Sequence, residues 1–390
     1  MDVKAIQTAL GDEKLDGWLF FDHHRRDPLA YRVLGLAAPR TPTRRWYYFI
    51  PAAGEPKALV HRIEPGMLDE LPGEKIAYAS WSEQADGLGK LLAGSRRVAM
   101  QYSPNCAVPY VSMVDGGTVE LVRGTGVDVV TSANLVQFFE ARWSAAQLES
   151  HLEAGRRVDE VRRSAFEKIA DHHQRGVKVT EWDIKRFIRN AFEQNGLFTD
   201  HGPIVAVNDN ASNPHYEPTA DEHREIRPGD WVLIDLWAKL TDADAVYYDI
   251  TWTGYCGDSV PAKMTKIFEL VTGARDAAVE CVKQAINAGR TLHGYEVDDA
   301  ARRFIEERGY GEYFFHRTGH SIGREVHGTG ANMDNLETHD ERRVIPWICF
   351  SIEPGVYLPE FGVRSEVDVF VGDGKTFVTG EIQHSPVIIA

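Results

Sequence analysis

Cysteine is scarce: four in 390 residues, at Cys106, Cys256, Cys281 and Cys349, with no C-x-x-C pair among them. A disulfide framework and a zinc ribbon are thereby excluded, and the expectation is four buried, reduced thiols that do no chemistry. Basic charge is also short, with 43 lysines and arginines against 58 aspartates and glutamates and a formal net charge of −15. Such a surface repels a phosphate backbone, and no basic run interleaved with aromatics offsets it, so nucleic acid is not an expected partner. No stretch approaches the roughly 18 consecutive apolar residues of a membrane span. The opening MDVKAIQTALGDEKLDGWLFF has no basic segment followed by a long apolar run. A cytoplasmic protein without a membrane partner is expected. No glycine-rich phosphate loop opens a helix-like segment, and no internal repeat stands out.

What is present is a chain 43% hydrophobic and 10% aromatic, able to bury a large core and long enough for two domains. In residues 1–143, short apolar runs (GWLFF, RWYYFI, RVAMQY, DVVTS) alternate with helix-like segments such as SEQADGLGKLLAG, which reads as a smaller α/β domain. The texture changes at Ser144, a good N-cap. It opens a helical pattern that runs to about His173, with Leu148, Leu152, Val158, Val161, Ala165 and Ile169 at helical intervals. The second domain, 144–390, holds further helical stretches near 181–194 and 262–288. Its strand-like runs are PIVAV, DWVLIDLWAKL, AVYYDITWTGY, WICFSIEPGVYL and GVRSEVDVFV. Paired strands flanked by helices predict an α+β domain, not a doubly wound sheet.

The segment HRTGHSIGREVH packs three histidines, His316, His320 and His327, into twelve residues. His316 and His320 have the i, i+4 spacing of a helical zinc clamp, but Arg317 follows the first and glycines stand at 319 and 323, so a helix is disfavoured. Other ligands must then come from elsewhere. Asp235 in VLIDLWA and Asp249 in VYYDITW lie in apolar strands, and Glu353 in FSIEPGVY and Glu366 in GVRSEVDVF repeat the anomaly. An ionised carboxylate in a core strand is costly unless paired or bound to a cation. Four carboxylates with one or two imidazoles make a donor set suited to a pair of divalent ions.

In their order along the chain, RPGDWVLID, YDITWTG, TGHSIGREVH, SIEPGVY and GVRSEVDV resemble the motifs of the pita-bread metallopeptidases, the family of aminopeptidase P, prolidase, creatinase and methionine aminopeptidase. The resemblance implies a pita-bread catalytic domain behind a smaller creatinase-type N-terminal domain, for which AYRVLG offers a loose match. It implies two divalent ions per chain, with Asp235 on one, Asp249 and Glu366 bridging, and His320 and Glu353 on the other. Manganese suits the carboxylate-rich set, with cobalt, iron or zinc also admitted. By the same resemblance His327 is the catalytic histidine beside the ions and His215, in NPHYEP, lines the substrate side. His316 is a further pocket histidine, and Arg364 steadies the glutamate strand.

The chemistry expected is hydrolysis: water bridging two ions deprotonates near neutral pH and attacks an amide carbon, Glu353 relays the proton, and His327, supported by His215, stabilises the oxyanion. The substrate implied is a short Xaa-Pro peptide, cut by an Xaa-Pro dipeptidase or aminopeptidase. The alternative is a small amide or amidine, cut by a creatinase- or ectoine-hydrolase-like enzyme of the same fold. A homodimer is implied as well. Retention of all five ligands argues against a binding protein on an inactive scaffold.

The chain departs from the family at two tryptophans. Trp237 stands where glycine is usual, two residues after Asp235, and by strand alternation its indole is expected on the metal side as a substrate-binding wall. Trp252 replaces an arginine and is expected to pack. Asp235 and Asp249 lie 14 residues apart, a little more than usual, with TDAD as the lengthened turn.

Overall fold

The computed structural model describes residues 1–36 and 42–390, which form two compact units, Met1–Glu140 and Ala141–Ala390. The boundary read from sequence lies between 143 and 144.

In the first unit a six-stranded sheet runs in the order β4-β3-β2-β1-β5-β6. Its strands are β1 (Gly17–Asp22), β2 (Trp46–Pro51), β3 (Lys57–His61), β4 (Glu74–Tyr78), β5 (Arg97–Met100) and β6 (Asp128–Thr131). The helices are α1 (Val3–Asp12), α2 (Pro28–Leu34), α3 (Trp81–Leu91), α4 (Gly116–Arg123) and the one-turn α5 (Ala133–Val136). Alternation explains the unbroken apolar run GWLFF. Trp18 and Phe20 enter one core with Leu10, Leu29 and Trp46, while Leu19 and Phe21 enter another with Leu88, Val119 and Val122. Both faces are covered, so neither face of β1 is polar.

The second unit begins with α6 (Ala145–Gln174) and α7 (Glu181–Gln194), each opened by a capping box, Ser144 with Gln147 and Thr180 with Asp183. They cover a sheet ordered β17-β10-β9-β7, with β8 also on β9. Its strands are β7 (Leu197–Phe198), β8 (Ile204–Val207), β9 (Trp231–Leu240), β10 (Tyr248–Cys256) and β17 (Val387–Ile389). After α8 (Ala262–Asn287) and α9 (Gly294–Glu306) come β11 (Ser321–Ile322), β12 (Ile348–Ile352), β13 (Gly355–Tyr357), β14 (Gly362–Arg364), β15 (Val367–Val371) and β16 (Thr376–Val378). These form a sheet ordered β11-β12-β15-β16 and the hairpin β13–β14.

Two expectations are corrected. Leu152, placed on the apolar face of α6, is 39% exposed; the buried face instead carries His151, Gly155, Asp159 and Arg162. Gly155 is small because the Tyr248 ring lies where a side chain would go, 2.8 Å from an added Cβ. Of the four thiols expected to be buried, Cys106 is exposed, since it ends a short turn, Pro104–Cys106, that buries nothing, and Cys281 is only partly buried. Among the described residues no helix is long and apolar enough to cross a membrane.

Candidate metal centre

The β9–β10 register sets the site. Thr251 lies opposite Asp235 and Asp249 opposite Trp237, so these four side chains share one face, while Ile234, Leu236, Ala238 and Ile250 turn to the α6–α7 core. The second sheet delivers the rest. Ser351 N–H donates to the His320 carbonyl (2.9 Å), and Glu353 N–H donates to the Thr318 carbonyl (2.7 Å), fixing both side chains beside the first sheet. Glu366, between β14 and β15, donates its N–H to the Thr251 carbonyl (3.2 Å) and accepts from Thr251 Oγ1 at 2.7 Å.

Donor atoms of Asp249, His320 and Glu366 lie within 4.8 Å of one another. His320 Nδ1–H donates to the Ser321 carbonyl at 3.2 Å, which leaves the Nε2 lone pair facing Asp249 Oδ2 at 3.6 Å and Glu353 Oε1 at 3.5 Å. Burial raises the pKa of Asp249, and Asp235 and Asp368 raise it further; burial and Asp249 do the same to Glu366. Burial also raises Asp235 and Glu353, against the pull of Arg364. Glu366 Oε1 is buried without any hydrogen-bond partner. Four carboxylates around one guanidinium, an orphaned oxygen and an imidazole lone pair aimed among them fit divalent cations.

Arg364 is that guanidinium, and it is buried. It donates to Asp235 and, at 3.0 Å, to Thr251 Oγ1, with Tyr357 Oη at 3.4 Å and Glu353 at 3.9 Å. Burial works against its charge, but the surrounding carboxylates overcome this and hold its pKa well up. His316 has both nitrogens engaged, Nδ1 donating to the Arg317 carbonyl (2.6 Å) and Nε2 facing Tyr357 Oη (2.7 Å). Desolvation, with Arg364 nearby, pushes it down to about 3, so it is a neutral acceptor for the tyrosine hydroxyl.

His327 lies edge-on to His320, ring centroids 4.4 Å apart. Desolvation first, and then the charges of Arg317, His201 and His215 against that of Asp200, push it down to about 4, although the residue is exposed at the surface. His215 is exposed, on a segment held from below by Glu181. That carboxylate is fully buried and accepts from Val207 N–H (2.8 Å), Asn210 Nδ2 (3.0 Å), Tyr216 Oη (2.7 Å) and Arg224 N–H (2.7 Å). Glu181→Ala would orphan these donors, and a loss of about 2–4 kcal/mol in unfolding free energy is expected by denaturant titration.

Trp237 is 7% exposed and packs with Trp143, Tyr247, Ile322 and Phe370. Its Nε1–H donates to Asp200 Oδ1 at 3.1 Å, and a Cβ on Gly202 would lie 2.3 Å from its ring. Gly202 also has φ +70°, so Gly202→Ala is expected to cost about 1–3 kcal/mol in the same titration. Trp252 packs against the α6–α7 core, with the Arg162 guanidinium 3.4 Å above its ring. Sequence reasoning missed Tyr357, Glu181, Thr251 and the pair Asp200–His201. Only Tyr357 and Thr251 stand near a motif, as the fourth residue after Glu353 and the second after Asp249.

The two sheets with their inward carboxylates define a metallohydrolase-type centre in a pita-bread fold. The chain belongs to metallopeptidase family M24, whose profile matches residues 149–373. It is 32% identical over 214 residues to a Xaa-Pro dipeptidase of Lactobacillus delbrueckii subsp. lactis, covering 55% of this chain and 52% of the relative. It is 25% identical over 345 residues to the probable dipeptidase PepE of Mycobacterium bovis, covering 87% of this chain and 84% of that one. The chain spans about half the length of the curated relatives it matches first. In fold it is similar to the crystal structure of dipeptidase PepE from Mycobacterium ulcerans (TM-score 0.70, 23% identity, 99% and 96% of the two chains).

Proposed function

We propose that this chain is a metal-dependent peptidase that cleaves short Xaa-Pro peptides, using two divalent ions, with manganese the best match to the donors. Asp235, Asp249, His320, Glu353 and Glu366 would hold them, Asp249 and Glu366 as the shared ligands. The observation that carries this reading is the convergence of the buried Asp235, Asp249 and Glu366 and the partly buried Glu353 around the Arg364 guanidinium, an excess of carboxylate that bound cations would offset. The relatives named as Xaa-Pro dipeptidases support the substrate class.

Bound divalent ions supply Lewis-acid polarisation of an amide carbonyl and lower the pKa of water at the site. The chain's own residues do the rest. Glu353, its affinity for a proton raised by burial, accepts the proton of the attacking water and passes it to the leaving nitrogen. His327, neutral and beside His320, donates its N–H to the oxygen that becomes negative as the carbonyl carbon turns tetrahedral. His215 adds a second donor on the substrate side. Arg364, braced by Tyr357 and His316, keeps Asp235 oriented.

The test is a panel of Xaa-Pro dipeptides, longer Xaa-Pro peptides and small amides, assayed with the metal-loaded chain and again after chelation. Turnover of an Xaa-Pro dipeptide that chelation abolishes is the expected result. Turnover of small amides alone would instead assign a C–N hydrolase of the same fold, and turnover surviving complete metal removal would overturn the reading.

A further inference from the structure

The turn leading into β8 carries side chains that the scheme above does not use. Asp200 Oδ1 accepts from Trp237 Nε1 (3.1 Å) and from the His201 N–H (2.9 Å), and His201 Nδ1 lies 2.9 Å from the same oxygen. The His201 and Trp237 rings meet edge to face with centroids 5.0 Å apart. Trp237 itself is buried, but the His201 side chain is 59% exposed. The indole thus fixes Asp200, Asp200 lies beside Nδ1 of His201, and Nε2 has no hydrogen-bond partner among the described residues. Trp237 is opposite Asp249, and Ile204, three residues past His201, is opposite Asp235, so the turn borders the carboxylate face of the sheet. An imidazole nitrogen free to donate at the border of a metal centre is complementary to an anionic part of the substrate.

We propose that His201 is a specificity-determining residue that receives the free C-terminal carboxylate of a dipeptide, with Asp200 and Trp237 as the residues that position it. The proposal rests on the peptidase reading. In a dipeptide only one residue separates the scissile carbonyl from the terminal carboxylate, so a donor at the border of the metal centre meets that charge. In a longer peptide it meets a neutral carbonyl at the same place. Charge-assisted hydrogen bonds exceed neutral ones, by enough to give a preference of about tenfold or more.

The experiment compares kcat/KM for Ala-Pro and Ala-Pro amide, and calorimetric binding of L-proline and L-prolinol, in the metal-loaded full chain and in His201→Ala, Asp200→Asn and Trp237→Phe. The original chain is expected to favour the carboxylate member of each pair. His201→Ala should lower both preferences about tenfold or more, mainly through KM, with metal content and thermal midpoint retained; the other two should lower them by smaller factors. A merely structural role would shift the midpoint and leave the ratios alone. Hydrolysis with no carboxylate preference, or with ratios unmoved in His201→Ala, overturns the proposal and leaves the peptidase reading standing. Absence of hydrolysis with an L-proline preference that falls in His201→Ala removes the peptidase reading and keeps the assignment of His201. Neither hydrolysis nor preference overturns both.

Discussion

Asp249→Ala and Glu366→Ala are each expected to lose the bound divalent ions and, with them, all measurable hydrolysis. Both carboxylates are buried, and their donor atoms fall with that of His320 inside one small cluster. Removing either takes away a ligand that the proposed pair of ions would share, so neither ion keeps its set. Elemental analysis after dialysis reads the result, and full occupancy with activity in either variant would end the two-ion proposal. Folding can be separated from binding in the stripped chain. There the buried negative charges repel, so metal-free Asp249→Asn is expected to be more stable than the metal-free parent at neutral pH, by roughly 1–4 kcal/mol. The sign with pH follows from linkage. A carboxyl whose folded pKa lies above its unfolded value, near 4, contributes its stability below that value and loses it as pH rises through the folded pKa. The gap between variant and parent should therefore shrink as pH is lowered toward about 4, which denaturant titrations at several pH values will show.

The parts of this site that were legible in sequence are those whose anomaly is local. Asp235 and Asp249 stand out because each interrupts an apolar strand, and their strand setting also fixes which neighbours share their face. Ser144 marks a helix start because capping is a matter of three or four residues. What stayed hidden depends on register between distant segments. Nothing near Glu181 says that its carboxylate will receive donors from Val207, Asn210, Tyr216 and Arg224, and nothing near His201 says that Asp200 will be pinned by Trp237. The polar residues His151, Asp159 and Arg162 on the buried side of α6 blurred its apolar stripe in the same way, because their partners Tyr247, Tyr248 and Glu381 are far along the chain. Helix α9 is the exception. Its Val297, Ala301 and Ile305 carry a plain i, i+4 pattern, but a glycine at its first position and a histidine cap gave no start signal.

His327→Ala and His320→Ala are expected to fail in different ways, although the two rings touch. His320 is held by its Nδ1–H on the Ser321 carbonyl, so its free lone pair is directed at the carboxylates and its loss should empty the site. His327 has no such setting. It is the outer ring of the pair, exposed to solvent, with its pKa lowered by desolvation and by Arg317. A neutral imidazole of this kind can donate one N–H to a developing oxyanion at no cost in metal affinity. His327→Ala should therefore keep its metal and lower kcat about 10²- to 10⁴-fold, while KM changes much less. His320→Ala should show the reverse order of events, with metal content falling before any rate can be compared and activity returning in part when metal is supplied in excess. Elemental analysis and steady-state kinetics on the two variants side by side decide the matter. Equal loss of metal in both would make His327 a ligand, and undiminished kcat in His327→Ala would leave the oxyanion to His215 alone.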